Sequence, residues 1–326
     1  MKQKITHIKR VIIKKLWRRK DVNIDWQLNA DVNVLSGDNG SGKSTVLRLI
    51  GKLLSSEFIE DSFEAFQIEF NNGDILEFKW EEKFYSDYIN ELREPHTKYV
   101  AKKKIKDDAV VLGGYRCLNG NYESDSNQQL FQNIANTTIL NNTEQPLISK
   151  ETLQKLGTNI STYLDWEIDK LQRQYADYQI NIGKRVIARL EKGENHVKEI
   201  TASKNLFFNL IDDLFKDTNK VIDREANNIV FIQNSQYKIK THQLSTGEKQ
   251  LLIILLSALV QDKKPTIMIM DEPELSLHPD WQEKIIHNVR KLNPNVQLII
   301  ATHSPFIIMN GWTDKVFEMS KITINN

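Results

Sequence analysis

Two patterns of apolar residues recur along this chain, and they predict two kinds of strand. Val32–Leu35, Thr266–Met270 and Gln297–Ala301 are short, nearly continuous apolar runs. Strands covered on both faces of a parallel sheet read this way. Ile5–Trp17 and Val22–Leu28 instead alternate apolar with polar positions, as half-buried strands do. Phe66–Phe70 and Ile75–Trp80 flank an NNGD stretch, a hairpin signal. Ala109–Leu112, the pair Ile229–Ile232 and Tyr237–Ile239, and the segments Val316–Met319 and Ile322–Ile324 complete the predicted strands. Helices are expected at Thr45–Leu54, from Thr246 through the apolar run Leu251–Val260, and from Pro279 to Leu292. Pro279 suits the first turn of the last of these, where its missing N–H costs nothing. The interleaving predicts an α/β fold built on a parallel sheet.

Between about Asn127 and Asn227 the composition changes. Glycine becomes scarce, Asn, Gln and Lys become common, and the periodicity turns helical. Leu164, Ile168, Leu171, Tyr175, Tyr178 and Ile182 recur at spacings of four and three, a heptad seam under three heptads long that Gly183 interrupts. A seam that short favours helices packed on the main body or on a sister subunit over a protruding coiled-coil arm. The expected organisation is a core made of residues 1–126 and 228–326, with a helical insertion at 127–227.

The chain has 326 residues, of which 40% are hydrophobic and 27% charged, with a net charge of +1. That is ordinary soluble composition and does not single out nucleic acid as a partner. The charge is unevenly placed, however. Residues 1–20 hold nine Lys or Arg and no acid, and a second basic run spans Lys98–Lys106. Solvated faces account for most such runs, so nucleic acid stays an open alternative. A single cysteine, Cys117, excludes an internal disulfide and fits a reducing compartment. With no signal-peptide pattern and no apolar run long enough for a bilayer, the expected location is cytoplasmic, with no membrane partner.

The candidate chemistry lies where apolar runs end. After Val32–Leu35, the residues Gly37, Asp38, Asn39, Gly40, Ser41, Gly42, Lys43 and Ser44 match G-x-x-x-x-G-K-[ST], with Thr45 opening the helix behind them. Glycines let the backbone curl so that successive N–H groups face phosphate oxygens. Lys43 would reach the β- and γ-phosphates, and Ser44 would bind Mg²⁺. Ser245, Thr246, Gly247 and Glu248 form a capping box whose helix N-terminus is an anion site, and all four are candidate nucleotide-binding residues. Asp271 and Glu272 follow Thr266–Met270, at the strand end where open α/β sheets bind ligands. Two adjacent acids there suit metal and water better than packing. His303 ends the strand Gln297–Ala301 in the same way, which favours a role at the γ-phosphate over the usual structural role of a lone histidine. Its neighbours offer no other metal site: the seven histidines include no helical pair at ligand spacing.

Taken in order, these motifs resemble those of an ABC-type ATPase. Gly37–Ser44 resembles the Walker A loop and Leu244–Gln250 the signature motif. Thr266–Glu272 resembles Walker B with its catalytic glutamate, Glu274–Pro279 the D-loop, and His303 the switch histidine. The LSTGEKQ string, the DEPE-x-x-LHP string and the 23 residues after His303 are most similar to the RecF-like, SMC-like and OLD-type branch. A Q-loop is not evident; Gln67 and the turn Gly113–Arg116 are the candidates. The resemblance implies a P-loop NTPase fold with an ABC-type head, and ATP and Mg²⁺ as ligands. It implies two ATPs sandwiched between two subunits, each under the partner's Ser245–Gly247 helix end. Ser44 and Asp271 would hold Mg²⁺, and Glu272, His303 and Lys43 would carry the hydrolytic chemistry. The similarity to the ATPases of Septu, PARIS and retron-linked defence implies a homodimer or larger homo-oligomer controlling a separate effector protein, a nuclease being the expected kind. A RecF-like repair ATPase on DNA is the alternative, and a transporter energiser a more distant one.

Overall fold

The computed structural model describes residues 4–55, 62–82, 97–105, 108–115, 136–140, 162–193 and 195–324. A parallel sheet of five strands forms its centre, in the order β14 (Val316–Glu318), β3 (Val32–Ser36), β13 (Val296–Ala301), β12 (Thr266–Asp271) and β8 (Asn136–Leu140). The three apolar runs are its middle strands, as their composition predicts. Their side chains alternate between two cores. Leu35, Ile267, Ile269, Ile299 and Ala301 face one, while Val32, Val34, Met268, Met270, Leu298 and Ile300 face the other.

Helix α1 (Lys43–Ser55) fills the first core and is the only long helix in it among the described residues. A seven-stranded sheet closes it from outside. That sheet runs β15 (Thr323–Ile324), β2 (Asn23–Gln27), β1 (Ile8–Lys14), β4 (Ala65–Phe70), β5 (Ile75–Glu82), β6 (Thr97–Ile105) and β7 (Asp108–Tyr115). Its pairings are all antiparallel, and β1, β2 and β4 turn one face inward, as the alternating sequence requires. The first strand is shorter than predicted. It stops at Lys14 because Lys15, Trp17 and Arg18 take positive φ. Cations of this basic segment are engaged locally: Lys9 pairs with Glu69, Arg10 with Asp25, Lys15 with Glu64 and Arg19 with Asp21.

The opposite core belongs to the helices. The central one is α4 (Thr246–Val260), apolar all round and buried from Gly247 to Ala258 and beyond. Such a helix needs cover on every side. It has the parallel sheet on one side and α2 (Tyr163–Leu190), α3 (Val197–Leu214) and α6 (Ile285–Leu292) on the others. All six predicted seam residues of α2, from Leu164 to Ile182, are buried in this core. The helix continues unbroken through Gly183, so the seam ends not at a helix break but where its next positions become Arg185 and Arg189. A small sheet of β9 (Lys220–Ile222), β10 (Val230–Gln233) and β11 (Tyr237–Lys240) leads into α4. The predicted helix from Pro279 is divided into α5 (Pro279–Gln282) and α6; two short helices follow, α7 (Pro305–Met309) and α8 (Met319–Ile322).

One correction concerns the helical insertion at 127–227. Asn136–Leu140 is a strand that pairs in parallel with β12, so this stretch supplies part of the core sheet as well as helices. Its polar start, NTT, hides it from a search for buried strands.

The two layers are tied by a polar residue. Gln297, in β13, is fully buried. Its Oε1 accepts from Ile8 N at 2.8 Å, and its Nε2 donates to Ile8 O and Asn29 O, both at 2.8 Å. The β1–β4 register shifts between Ile8 and Arg10, and the glutamine amide satisfies the backbone at that irregularity. Gln297→Leu should cost about 2–4 kcal/mol, because the apolar gain is outweighed by buried backbone groups left without partners. Urea unfolding measures this; an unchanged midpoint would show that the bracket is dispensable.

Candidate functional site

Three strand ends of the parallel sheet, β3, β12 and β13, converge on one edge. The loop after β3 curls at Gly37, Gly40 and Gly42, all with positive φ. A side chain at Gly42 (φ 103) would also run into the Trp17 indole, 2.6 Å from where its Cβ would stand. Lys43 is 4% exposed, and its ammonium donates to Gly37 O at 2.8 Å and Asp38 O at 3.1 Å. It is thus folded back over the loop, held by carbonyls that a phosphate would outcompete. The Ser41 hydroxyl is buried without a hydrogen-bond partner, and the first N–H groups of α1 have no intrahelical acceptors. A loop so arranged has donors in excess and fits an anion.

Ser44 and Asp271 meet between this loop and β12, with Ser44 Oγ donating to Asp271 Oδ1 at 2.9 Å. A hydroxyl and a carboxylate side by side are hard oxygen donors suited to Mg²⁺, which takes few protein ligands and completes its shell with phosphate and water. Among the described residues no group of three His, Cys, Asp or Glu side chains offers a competing site. Burial raises the Asp271 pKa. The Ser44 hydrogen bond opposes the shift, and the negative charges of Glu272 and Glu274 add to it.

Glu272 follows in the left-handed region, at φ 45. For a residue with a Cβ this costs of order 1–3 kcal/mol and points to a functional constraint. Its N–H still donates to Ala301 O at 2.8 Å, the last rung between β12 and β13, before the chain turns away. The turn leaves the Glu272 carboxylate partly exposed and 3.8 Å from His303 Nε2, too long for a direct hydrogen bond. The predicted Asp271, Glu272, His303, Lys43 and Ser44 are therefore gathered at one edge. Gln67 is not placed like a loop residue: it sits mid-strand in β4, opposite Ile12 and Glu77. Gly113 continues β7 instead of turning, and Arg116 lies outside the described residues.

The Ser245–Gly247 segment is built as predicted but lies in the other layer. The capping box is complete, with Glu248 N donating to Ser245 Oγ at 3.3 Å and Ser245 N to Glu248 Oε2 at 2.9 Å. Ser245 is exposed and Thr246 partly so. Glu248, proposed from sequence as a ligand residue, is instead 1% exposed. Burial penalises its charge, but hydrogen bonds from Lys220, Ser245 and Thr218 outweigh that and hold its pKa below the ordinary value. It caps and anchors the helix and has no face left for a nucleotide. Gly247 has a reason the sequence did not suggest: a Cβ there would stand 2.3 Å from the Ser276 carbonyl. Glycine is required by the chain's own D-loop.

Three residues passed over in the sequence matter here. Trp17, 37% exposed, lays its indole against the phosphate loop. Lys249 pairs with Asp165 of α2 at 2.8 Å in a buried ion pair, fixing the first turn of α4 to the helical region. Gln250 donates to Pro273 O at 2.8 Å and ties α4 to the loop behind β12. Only Trp17 had a usable signal, an aromatic residue in a basic turn.

A phosphate loop, an acid pair and a terminal histidine on three strands of a parallel sheet, covered by an antiparallel sheet, define a P-loop NTPase with an ABC-type head. Residues 32–310 match the family model described as AAA domain, putative AbiEii toxin, Type IV TA system, and the chain belongs to that family. It is 25% identical over 300 residues to the Septu protein PtuA of Bacillus thuringiensis, covering 86% of this chain and 68% of that protein. It is 24% identical to the Retron Vc95 probable ATPase of Vibrio cholerae serotype O1 biovar El Tor, covering 69% of this chain and 44% of the relative. The chain thus spans about two thirds of the first relative and under half of the second. Among solved structures, an SMC head bound to the C-winged helix domain of ScpA superposes with a TM-score of 0.50 at 15% identity, covering 93% of this chain and 91% of that one. The fold is that of an SMC-like ATPase head. Among the described residues no helix is long and apolar enough to cross a membrane.

The raised Asp271 pKa has a definite sign. The folded protein binds this proton more readily than the unfolded one, so the group's contribution is favourable below its unfolded pKa and is lost as pH rises through the folded value. Above the folded value the ionised carboxylate is a cost, which a bound cation would relieve. Asp271→Asn should therefore raise the melting temperature of the nucleotide-free protein at pH 7, with the gain vanishing toward about pH 4. It should also remove stabilisation by Mg²⁺. A lower melting temperature at pH 7 would contradict the assignment.

Proposed function

We propose that this chain binds and hydrolyses ATP with Mg²⁺ in sites shared between two copies, and that this cycle controls a separate effector protein in anti-phage defence. The observation carrying the reading is the split between layers. The phosphate loop heads α1 in one core, and the Ser245–Gly247 helix end heads α4 in the other, with the parallel sheet between them. The second anion site thus lies across the parallel sheet from the chain's own phosphate loop, which suits the γ-phosphate held by another copy. Kinship to PtuA and the retron ATPase supports the biological setting.

In this reading Lys43 leaves its two carbonyls to pair with the β- and γ-phosphates, and α1 stabilises their charge with its N-terminal N–H groups. Trp17 offers a flat apolar face for the base beside the loop. Ser44 and Asp271 would hold Mg²⁺, which would neutralise charge on the phosphate oxygens. Glu272 accepts a proton from the attacking water, and His303 orients the water or the γ-phosphate from the neighbouring strand end. The effector's docking surface is assigned to the helical region around α2 and α3, which the hydrolytic residues do not use. DNA binding by the N-terminal cations is less favoured, since Lys9, Arg10, Lys15 and Arg19 already face acids on neighbouring strands and turns.

Glu272→Gln should bind ATP and lose at least about a hundredfold in turnover, because an amide cannot take the proton. Ser245→Arg and Lys43→Ala should each be inactive. Mixed in equal amounts they should recover roughly a quarter of wild-type turnover, since half the dimers then carry one site with both halves intact. No recovery, with mixed dimers shown to form, would mean that each site is self-contained.

A further inference from the structure

We infer that Glu274 is a positioning residue for hydrolysis, whose carboxylate clamps the switch-histidine segment to the segment carrying Glu272. The sheet ladder between β12 and β13 ends at the hydrogen bond from Glu272 N to Ala301 O. Beyond it no backbone bond holds the two strand ends at a fixed separation. Glu274 continues the connection with its side chain. Its Oε1 accepts from Thr302 Oγ1 at 2.6 Å, from His303 N at 2.9 Å and from Ser304 N at 3.2 Å. One oxygen thus collects three donors from three consecutive residues, and the middle one is the histidine that faces Glu272 at 3.8 Å.

The arrangement is costly unless it has this use. Asp271, Glu272 and Glu274 place three carboxylates within four residues. Glu274 Oε2 is buried without a hydrogen-bond partner, so this side chain gives up hydration that its other oxygen only partly replaces. An apolar residue would pack there at lower cost but would release the loop. Glu274 is not an alternative base, because one oxygen is fully engaged and the other is out of reach of water. The loop is also held from its far side, where Ser304 Oγ hydrogen-bonds Gln282 and Gln282 Nε2 donates to Leu277 O at 2.8 Å. Thr302 is 1% exposed, so its hydroxyl depends on a protein acceptor, and the Glu274 carboxylate supplies it. Small shifts of His303 relative to Glu272 translate directly into misplacement of the attacking water, which is expensive for rate and nearly free for binding.

This inference rests on the reading of Glu272 and His303 as the hydrolytic pair, and the test separates the two. Turnover and the affinity for a fluorescent ATP analogue are measured for Glu274→Ala, Glu274→Gln, Thr302→Val, the double variant Glu274→Ala/Thr302→Val, and Glu272→Gln as reference. Glu274→Ala should lower kcat by roughly tenfold or more while leaving KM and analogue affinity within about twofold. Glu274→Gln keeps a carbonyl oxygen where Oε1 stands and should recover most of the lost rate. Thr302→Val should be slow in the wild-type background and cause little further loss in Glu274→Ala, because both changes remove the same contact. The inference is overturned if Glu274→Ala turns over normally, if Gln is as slow as Ala with nucleotide still bound, or if the two losses multiply. Should Glu274→Ala not fold, Glu274→Gln with Thr302→Val in the same cycle decides it. Normal turnover by Glu272→Gln would instead remove the underlying reading of the site.

Discussion

Side chains on β12 alternate between the two faces of the parallel sheet, and the layout of the chemistry depends on that alternation. Ile267 and Ile269 close the layer of α1, while Met268 and Met270 close the layer of α4. Each helix carries one N-terminus proposed to bind phosphate, so the two are held apart by the thickness of a sheet and its packed side chains, about 10 Å per layer. Rotating either helix to the other side would mean breaking the sheet. The acids at the end of β12 sit where the two layers meet, which lets Asp271 serve the phosphate loop through Ser44 while Gln250 holds the same strand end to α4. That geometry is the physical support for a site completed by a second copy.

The first turn of α4 is where the helical region and the nucleotide machinery join. Lys249 pairs with Asp165 of α2, and Glu248 with Lys220 of β9, both largely out of solvent. Buried ion pairs of this kind add little net stability, since desolvation takes back most of the attraction. Their value lies in orientation, because breaking one leaves a buried charge without its partner. The Lys249–Asp165 pair thereby fixes α2 to the first turn of α4 by a contact that resists partial rearrangement. The rigid packing of α4, apolar on every side, makes the joint act as a body and not as a hinge.

Much of the site was legible because its motifs are local. The phosphate loop needs eight consecutive residues, the capping box four, and the acid pair marks its own strand end. The seam of α2 was equally legible, as a helical period with buried members. What escaped sequence reading depends on partners far apart in the chain. Gln297 reads as one polar residue in an apolar run, yet it brackets Ile8. Asn136–Leu140 reads as a polar segment, and only its pairing with β12 makes it a strand of the parallel sheet. Glu274 looked like part of a loop because its three donors lie 28 to 30 positions further on. Glu248 looked like a ligand residue because the burial that engages it comes from Lys220 and Thr218, outside the motif.

The central claim is that nucleotide completes a site between two copies, and the mass of the particle in solution tests it most directly. Light scattering of the Glu272→Gln chain, which should hold ATP without consuming it, is compared with ATP and Mg²⁺, with ADP and Mg²⁺, and without nucleotide. If the chain is a monomer without nucleotide, the account predicts a doubling of mass with ATP that ADP does not produce and that Ser245→Arg abolishes. If a larger assembly already exists, it predicts an ATP-specific contraction that Ser245→Arg again abolishes. Mass and radius unchanged by ATP, with nucleotide shown to be bound at full occupancy, would contradict it.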